Sequence, residues 1–142
     1  GMYDENLFPP ADWDLWLRIS EHYKIGYINQ PLSKYRVISN SCFHGLERTK
    51  RENKIVLDKF FARNPKASRR LKRAAYARYH LSMAQCYFLK EDEKQFKEQL
   101  KASFQYDSLS LRAAAVLFYS FFARKSFRAM LERKILRVSF KS

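Results

Sequence analysis

Apolar residues recur at helical spacing through most of the chain, and proline or polar positions separate the segments in which they do so. The pattern predicts a first helix that begins near Asp12 and ends around residues 23–24. Five further helices are predicted over about 47–63, 68–89, 91–106, 109–123 and 127–137. Pro65 closes the second helix, because proline cannot continue one. The later connections are only a few residues long, which predicts antiparallel neighbours.

Two short segments between the first and second helices favour extended structure. Residues 25–28 and 32–37 are rich in β-forming side chains, and Pro31 separates them. In the first helix, Asp14 and Arg18 are four residues apart and are expected to pair. The predicted fold class is therefore mainly α, with a small α+β part at the N-terminus followed by an antiparallel helical bundle.

The charge changes sign along the chain. Residues 1–42 hold four basic and five acidic side chains, a net charge of −1, whereas residues 43–142 hold 24 basic and nine acidic ones, a net charge of +15, so the whole chain carries +14. We therefore place a domain boundary between 1–43 and 44–142. A basic region of this kind can bind an anionic membrane surface, nucleic acid or an acidic partner, although solvated helix faces are the commoner explanation. Nucleic acid ranks last, because the sequence shows charge but no recognised binding module.

The cysteines and the N-terminus favour a cytoplasmic protein. Cys42 and Cys86 form neither a CxxC pair nor a zinc-ligand spacing with the histidines, so free thiols in a reducing compartment are expected. A basic start followed by an apolar stretch, typical of secretory signals, is not found. Residues 113–123 are apolar or serine, but eleven residues fall short of the roughly 20 that span a bilayer.

That apolar stretch has two interpretations. As a buried core helix it needs no further explanation, and this is the slightly favoured one. As an interfacial segment it would place Phe118, Phe121 and Phe122 beside a cationic tail, at the inner face of a membrane. Phenylalanines next to cations suit a headgroup region, so both interpretations stay open.

Three fragments carry a family resemblance: Met2-Tyr-Asp-Glu-Asn-Leu, Ala11-Asp-Trp-Asp-Leu-Trp-Leu-Arg18 and Tyr27-Ile-Asn-Gln-Pro-Leu-Ser-Lys-Tyr-Arg36. In their order and spacing they resemble the acceptor-side end of the GT-A fold in family 2 glycosyltransferases. The resemblance covers residues 1–41. It implies that segment 1–43 is the C-terminal remnant of a GT-A domain that transfers a sugar with inversion from a nucleotide-sugar to an acceptor glycan or lipid.

The resemblance implies roles for five residues. Asp12 matches the general base, which accepts the acceptor's hydroxyl proton as the new C–O bond forms; from the pattern alone Asp12 would be only a helix N-cap. Trp13 and Trp16 match acceptor-side positions, although core packing is the better interpretation of their pattern. Tyr35 and Arg36 match a Tyr-Arg pair near the diphosphate. A structural ion pair between Arg36 and an acidic residue near the N-terminus, Asp4 or Glu5, is an equal alternative.

The sequence departs from the family in several places. Ala11 stands where the family usually has Glu, and Ile38 stands where many members have His. The Gln-x-x-Arg-Trp motif of processive members does not occur, so a non-processive enzyme is implied. No Asp-x-Asp motif precedes Asp12, so the Mn²⁺ or Mg²⁺ of the intact enzyme is expected to have no site in this chain. We therefore expect a fragment that is inactive alone and that can dimerise through an exposed edge.

Residues 77–108 resemble one tetratricopeptide repeat. The resemblance rests on Met83-Ala84, Tyr87, a polar turn at Glu91-Asp92, Phe96, Leu100 and Ser103-Phe104. One repeat cannot bury its own face, so it must stack on neighbouring helices. A hairpin packed on its flanking helices and a partner-binding repeat are equal alternatives. The alternative functions of the chain are accordingly a non-catalytic helical interaction module or a basic peripheral membrane-binding domain.

Overall fold

The computed structural model describes residues 2–7, 10–33 and 45–137, which contain six helices and no strand. The helices are α1 (Ala11–Ser20), α2 (Leu46–Arg63), α3 (Arg69–Leu89), α4 (Glu93–Tyr106), α5 (Leu111–Phe122) and α6 (Arg124–Arg137). The prediction of a mainly α chain is confirmed. Each helix was expected from the spacing of apolar residues, and both ends of α2 and α3 fall within one residue of their predicted positions.

The predicted strand over residues 25–28 does not form among the described residues. This segment has no ladder partner among the described residues, and its side chains are exposed, with Tyr27 87% exposed. β-forming side chains favour a strand only where a neighbouring strand takes the backbone hydrogen bonds. The same holds for residues 32–33 of the second predicted segment, whereas residues 34–37 lie outside the described residues.

The chain divides into two compact units. The N-terminal unit comprises Gly1–Asn29 and Gly45–Ala75, and the C-terminal unit comprises Gln30–His44 and Tyr76–Ser142. Helix α2 and the start of α3 thus belong with α1, while the rest of α3 belongs with α4, α5 and α6. The domain boundary near residue 43 that the charge pattern suggests stays a prediction.

In the N-terminal unit, α1 packs beside α2. Arg63, in the last turn of α2, donates a hydrogen bond from Nε to Glu21 Oε1 at 3.1 Å, just beyond the end of α1. Val56 and Phe61 on α2 are buried, as is Leu7 in the segment before α1. The Lys72 ammonium lies over the Phe61 ring, 5.7 Å from its centre, which adds a cation–π contact at the start of α3.

In the C-terminal unit, α3 and α4 form an antiparallel hairpin. Going outward from the turn, Phe88 meets Phe96 with ring centres 5.5 Å apart, and His80 Nδ1 meets Gln99 Oε1 at 2.9 Å. Residue numbers therefore fall along α3 as they rise along α4, as short connections predict. Ala84 is completely buried, and a small residue at such a position permits close helix packing.

The turn of this hairpin is a Schellman motif. The backbone N–H of Asp92 donates to the Tyr87 carbonyl and that of Glu91 donates to the Phe88 carbonyl, both at 3.1 Å. Glu91 has φ +62°, the left-handed conformation that this motif requires at that position. Asp92 also caps α4, because its carboxylate accepts a hydrogen bond of 3.0 Å from the Gln95 amide. One short sequence thus ends α3 and begins α4.

Helices α5 and α6 complete the C-terminal unit. The Ser110 hydroxyl caps α5 by accepting a hydrogen bond of 3.3 Å from the Ala113 amide. Phe127 on α6 is buried, with its ring centre 5.1 Å from that of Phe88 and 6.0 Å from that of Tyr119. No helix in the described part of the chain is long and apolar enough to cross a membrane.

Candidate functional site

Helix α1 carries three of the five candidate residues, Asp12, Trp13 and Trp16, and it places Asp12 on an exposed surface. The helix begins at Ala11, and Pro10 is its N-cap without a side-chain cap hydrogen bond. The alternative in which Asp12 is the N-cap is therefore wrong, since Asp12 is the second residue inside the helix. Its Oδ1 accepts a hydrogen bond of 2.7 Å from the Trp13 amide. A carboxylate in the first turn is favourably placed against the helix dipole.

Asp14 has the opposite environment, although it is only two residues away. It is 3% exposed, and its Oδ2 accepts a hydrogen bond of 2.9 Å from Arg18 Nε, which confirms the predicted pair. Its Oδ1 lies 3.7 Å from Arg63 Nη1, within ion-pair range but too long for a hydrogen bond. Arg18 also donates from Nη2 to the Met2 carbonyl at 2.8 Å. Asp14 therefore links α1 to α2 through Arg63, while Arg18 links α1 to the N-terminal segment, and both are structural roles.

The two tryptophans of α1 also differ in their exposure. Trp16 is 54% exposed, so core packing does not explain it. It follows Asp12 by four residues, and residues at this spacing lie on one face of a helix. Trp13 is partly buried and lies toward the covered side. The exposed face of α1 thus presents a carboxylate and a large aromatic ring side by side.

The remaining two candidates cannot be placed relative to this face, because Tyr35 and Arg36 lie outside the described residues. Asp4, one proposed partner of Arg36, forms an ion pair with Lys59 on α2, and its pairing with Arg36 stays a prediction. The hydrogen bond from Lys59, and then that from the Asn6 amide, hold the pKa of the Asp4 carboxyl below its ordinary value of 3.8. Lys59 was missed at the sequence level, since a separation of 55 residues leaves no local signal.

The Asp12-Trp-Asp14 spacing does not make a metal site. Residues two apart on an α-helix point about 200° away from each other. Asp14 is also engaged by Arg18 and Arg63. Within the described ranges, no group of three or more His, Cys, Asp or Glu side chains could hold a metal ion.

A cavity lies in the C-terminal unit where the end of α5 meets the α3–α4 turn, with Phe88, Phe96 and Phe121 among its lining residues. Its charged groups already bind each other. Arg124 donates from Nη1 to Glu93 Oε1 at 2.7 Å, and its guanidinium lies 5.5 Å from the centre of the Phe88 ring. The other polar lining residues also have partners within the chain, since Lys97 lies 3.7 Å from Glu93, Glu91 pairs with Arg128, and the Ser120 hydroxyl donates to the Leu117 carbonyl.

No family model matches the chain, no curated protein matches it, and no solved structure matches it. The residues of α1 and the segment that follows it are therefore the features that bear on function.

Proposed function

We propose that this chain contributes the acceptor side of an inverting, non-processive glycosyltransferase of the GT-A type, with Asp12 as the general base. The observation that carries the proposal is that Asp12 and Trp16 are both exposed on one face of α1, opposite the buried Asp14. Sugars stack their apolar faces on aromatic rings while a carboxylate accepts hydrogen bonds from their hydroxyl groups. Such a face suits the binding of a hydroxyl-bearing acceptor.

In this proposal, Asp12 acts as the acceptor oxygen attacks the anomeric carbon of the donor sugar. The new C–O bond forms while the bond from the sugar to the nucleoside diphosphate breaks, and the hydroxyl proton passes to the Asp12 carboxylate. Attack from the face opposite the leaving group inverts the anomeric centre. The fixed position of α1 makes this transfer efficient, because Asp14, Arg18 and Arg63 restrain the helix from its other side.

The exposed segment that follows α1 favours a neighbouring domain that would cover it. Residues 23–33 are all exposed and include Tyr23, Ile25, Tyr27, Ile28 and Leu32. Side chains of this kind fit a strand that is covered on at least one face. We propose that this segment pairs with the sheet of a donor-binding half outside these 142 residues, and so completes the α+β domain. That half would bind the nucleotide-sugar and the Mn²⁺ or Mg²⁺ that neutralises the diphosphate.

The proposal is tested on the longest natural reading frame that contains this sequence. Purified protein is incubated with Mn²⁺ and UDP-, GDP- or dTDP-sugars, and nucleotide release is measured with and without glycan and lipid acceptors. Asp12→Asn is expected to lower kcat by about 10²–10⁴-fold, with little change in KM for the nucleotide-sugar. Trp16→Ala is expected to raise KM for the acceptor alone.

Asp58→Asn is the matched control, since Asp58 is another exposed carboxylate on a helix of the same unit. Full turnover in the Asp12→Asn protein would show that Asp12 is not the base. A reading frame without a donor-binding half, together with no nucleotide release, would contradict the proposal as a whole. Calorimetric titration of the 142-residue chain with nucleoside diphosphates and Mn²⁺ is expected to show no binding, and clear metal-dependent binding would place the donor site within it.

A further inference from the structure

Helix α5 is apolar on its covered face and on its exposed face. The covered face consists of Ala113, Val116 and Ser120, which are buried at the spacing of one helical stripe. On the opposite side, Leu111, Phe118 and Phe122 recur at intervals of seven and four residues. A helix that is apolar all round normally lies in a protein core or in lipid. We therefore expect a binding partner to cover the exposed stripe of α5.

The exposed side chains are large and are held in place from behind. Phe122 is 79% exposed and Phe121 is 69% exposed. The Phe118 and Phe122 rings contact each other, with centres 4.8 Å apart, so they form one continuous surface. The helix behind them is fixed because Tyr119 stacks on the buried ring of Phe127. Contiguous exposed apolar surface on a helix face marks a candidate interaction site.

Cations flank this surface at both ends of the helix. Arg112 is exposed in the first turn of α5, and Lys125 is exposed in the first turn of α6. The sequence after Asp107 contains eight basic residues and only one acidic residue, Glu132. The basic residues are Arg112, Arg124, Lys125, Arg128, Arg133, Lys134, Arg137 and Lys141. Arg112 and Lys125, at the two ends of the apolar stripe, are thus complementary to an anionic partner.

We propose that α5 and the start of α6 dock on the surface of a phospholipid bilayer that carries anionic headgroups. The phenylalanines and Leu111 would enter the boundary between headgroups and acyl chains, while Arg112 and Lys125 bind the phosphates and carboxylates around them. A 12-residue helix is about 18 Å long, which suits a position parallel to the membrane plane. This docking is independent of the proposed transferase activity.

The aliphatic side chains favour lipid over single-stranded nucleic acid. Nucleic acid also binds where aromatic rings lie beside cations, because bases stack on the rings. Leu111 and Leu117 are also exposed on α5, however, and aliphatic groups contribute nothing to base stacking. Burial in a bilayer is favourable for each of these aliphatic side chains.

The experiment is co-sedimentation of the chain with phosphatidylcholine vesicles that either contain or lack phosphatidylserine, at low and physiological salt. Binding is expected only with phosphatidylserine. Phe121→Ser/Phe122→Ser is expected to lower the partition coefficient at least about tenfold at both salt concentrations. Arg112→Gln/Lys125→Gln is expected to lower it about fivefold per cation at low salt.

Two control variants carry matched changes in the N-terminal unit. Arg69→Gln/Arg70→Gln removes two exposed cations there, and Tyr27→Ser removes an exposed aromatic ring. Both controls are expected to retain most of the binding. Circular dichroism verifies the fold of each variant, and Leu111→Ser replaces the phenylalanine pair if that variant unfolds.

Several results would overturn the proposal. One is vesicle binding that falls equally in Arg112→Gln/Lys125→Gln and in Arg69→Gln/Arg70→Gln and is unchanged in Phe121→Ser/Phe122→Ser. That pattern would mean nonspecific attraction of a basic protein to an anionic surface. Another is the absence of vesicle binding at low salt. Tighter binding of single-stranded RNA or DNA that depends on the same phenylalanines, or a dimer that Phe121→Ser/Phe122→Ser dissociates, would assign the surface to that other occupant.

Discussion

The hydroxyl of Ser103 donates a hydrogen bond of 2.9 Å to the backbone carbonyl of Ala77, and so joins α4 to α3 where both residues are buried. Replacement of Ser103 by Ala should lower the free energy of unfolding by about 1 kcal/mol, the net value of one such hydrogen bond. Urea denaturation measures this change. Ser108→Ala, at an exposed position after α4, is the control and should leave stability unchanged. Equal effects of the two variants would mean that the bond contributes nothing.

Close packing at Ala84 gives a second prediction. Its side chain is completely buried on α3, so Ala84→Leu should lower the free energy of unfolding by about 1–3 kcal/mol because the added volume must displace neighbours. Ala74→Leu, at an exposed position of the same helix, should be neutral. Thermal unfolding followed by circular dichroism separates the two. A neutral Ala84→Leu would indicate an underpacked hairpin.

The two aspartates of α1 should separate stability from activity. Asp14→Asn weakens the charged hydrogen bond with Arg18 and removes the ion pair with Arg63, and should cost about 2 kcal/mol of unfolding free energy. Asp12→Asn, at an exposed position, should change stability by less than about 0.5 kcal/mol. Chemical denaturation of the purified chain measures both. A destabilising Asp12→Asn would indicate a structural role and weaken its assignment as the base.

The left-handed backbone at Glu91 allows a stabilising substitution. Glu91→Gly should raise the free energy of unfolding by about 0.5–1 kcal/mol, because glycine adopts φ +62° without the steric penalty of a side chain. Both variants lose the exposed ion pair with Arg128, but only Glu91→Ala keeps the steric penalty, so it serves as the control. Thermal unfolding of both variants measures the difference in stability. A Gly variant no more stable than the Ala variant would show that the turn stores no strain.

The ion pairs of Asp4 and Glu93 make stability sensitive to acid. Lys59 lowers the pKa of Asp4, and Arg124 lowers the pKa of Glu93 from its ordinary value of 4.5. A carboxyl with a depressed folded pKa stabilises the fold above its unfolded pKa, and that contribution is lost as pH falls through the folded value. Thermal midpoints should therefore fall with pH below about 4.5, and less steeply for Asp4→Asn or Glu93→Gln.

Glu98→Gln is the control for the acid profile, as an exposed carboxyl on α4. Its profile should follow that of the unmodified chain. Identical profiles for Asp4→Asn, Glu93→Gln and the unmodified chain would show that neither ion pair persists in solution.

The helices were predictable because their signals are local. The strand prediction at residues 25–28 failed because a strand depends on a distant partner. The Asp92 cap, the Ser110 cap and Pro65 lie next to the helix ends that they define. Residues 25–28 carry β-forming side chains, but a strand depends on a partner that neighbouring residues cannot supply. The pair of Asp14 with Arg18 was predictable because both residues lie on one helix, four apart.

By itself, the sequence determined the six helices, their order, the basic character after residue 43 and the choice of Asp12 as the candidate base. Only the tertiary structure decided which carboxylate of α1 is buried, because Arg63 reaches Asp14 from α2 through contacts distant in sequence. It also decided the ion pair of Asp4 with Lys59 and the exposure of Trp16, Phe121 and Phe122. The physical reason is that helix formation depends on nearby residues, whereas burial and long-range pairing depend on which elements pack together.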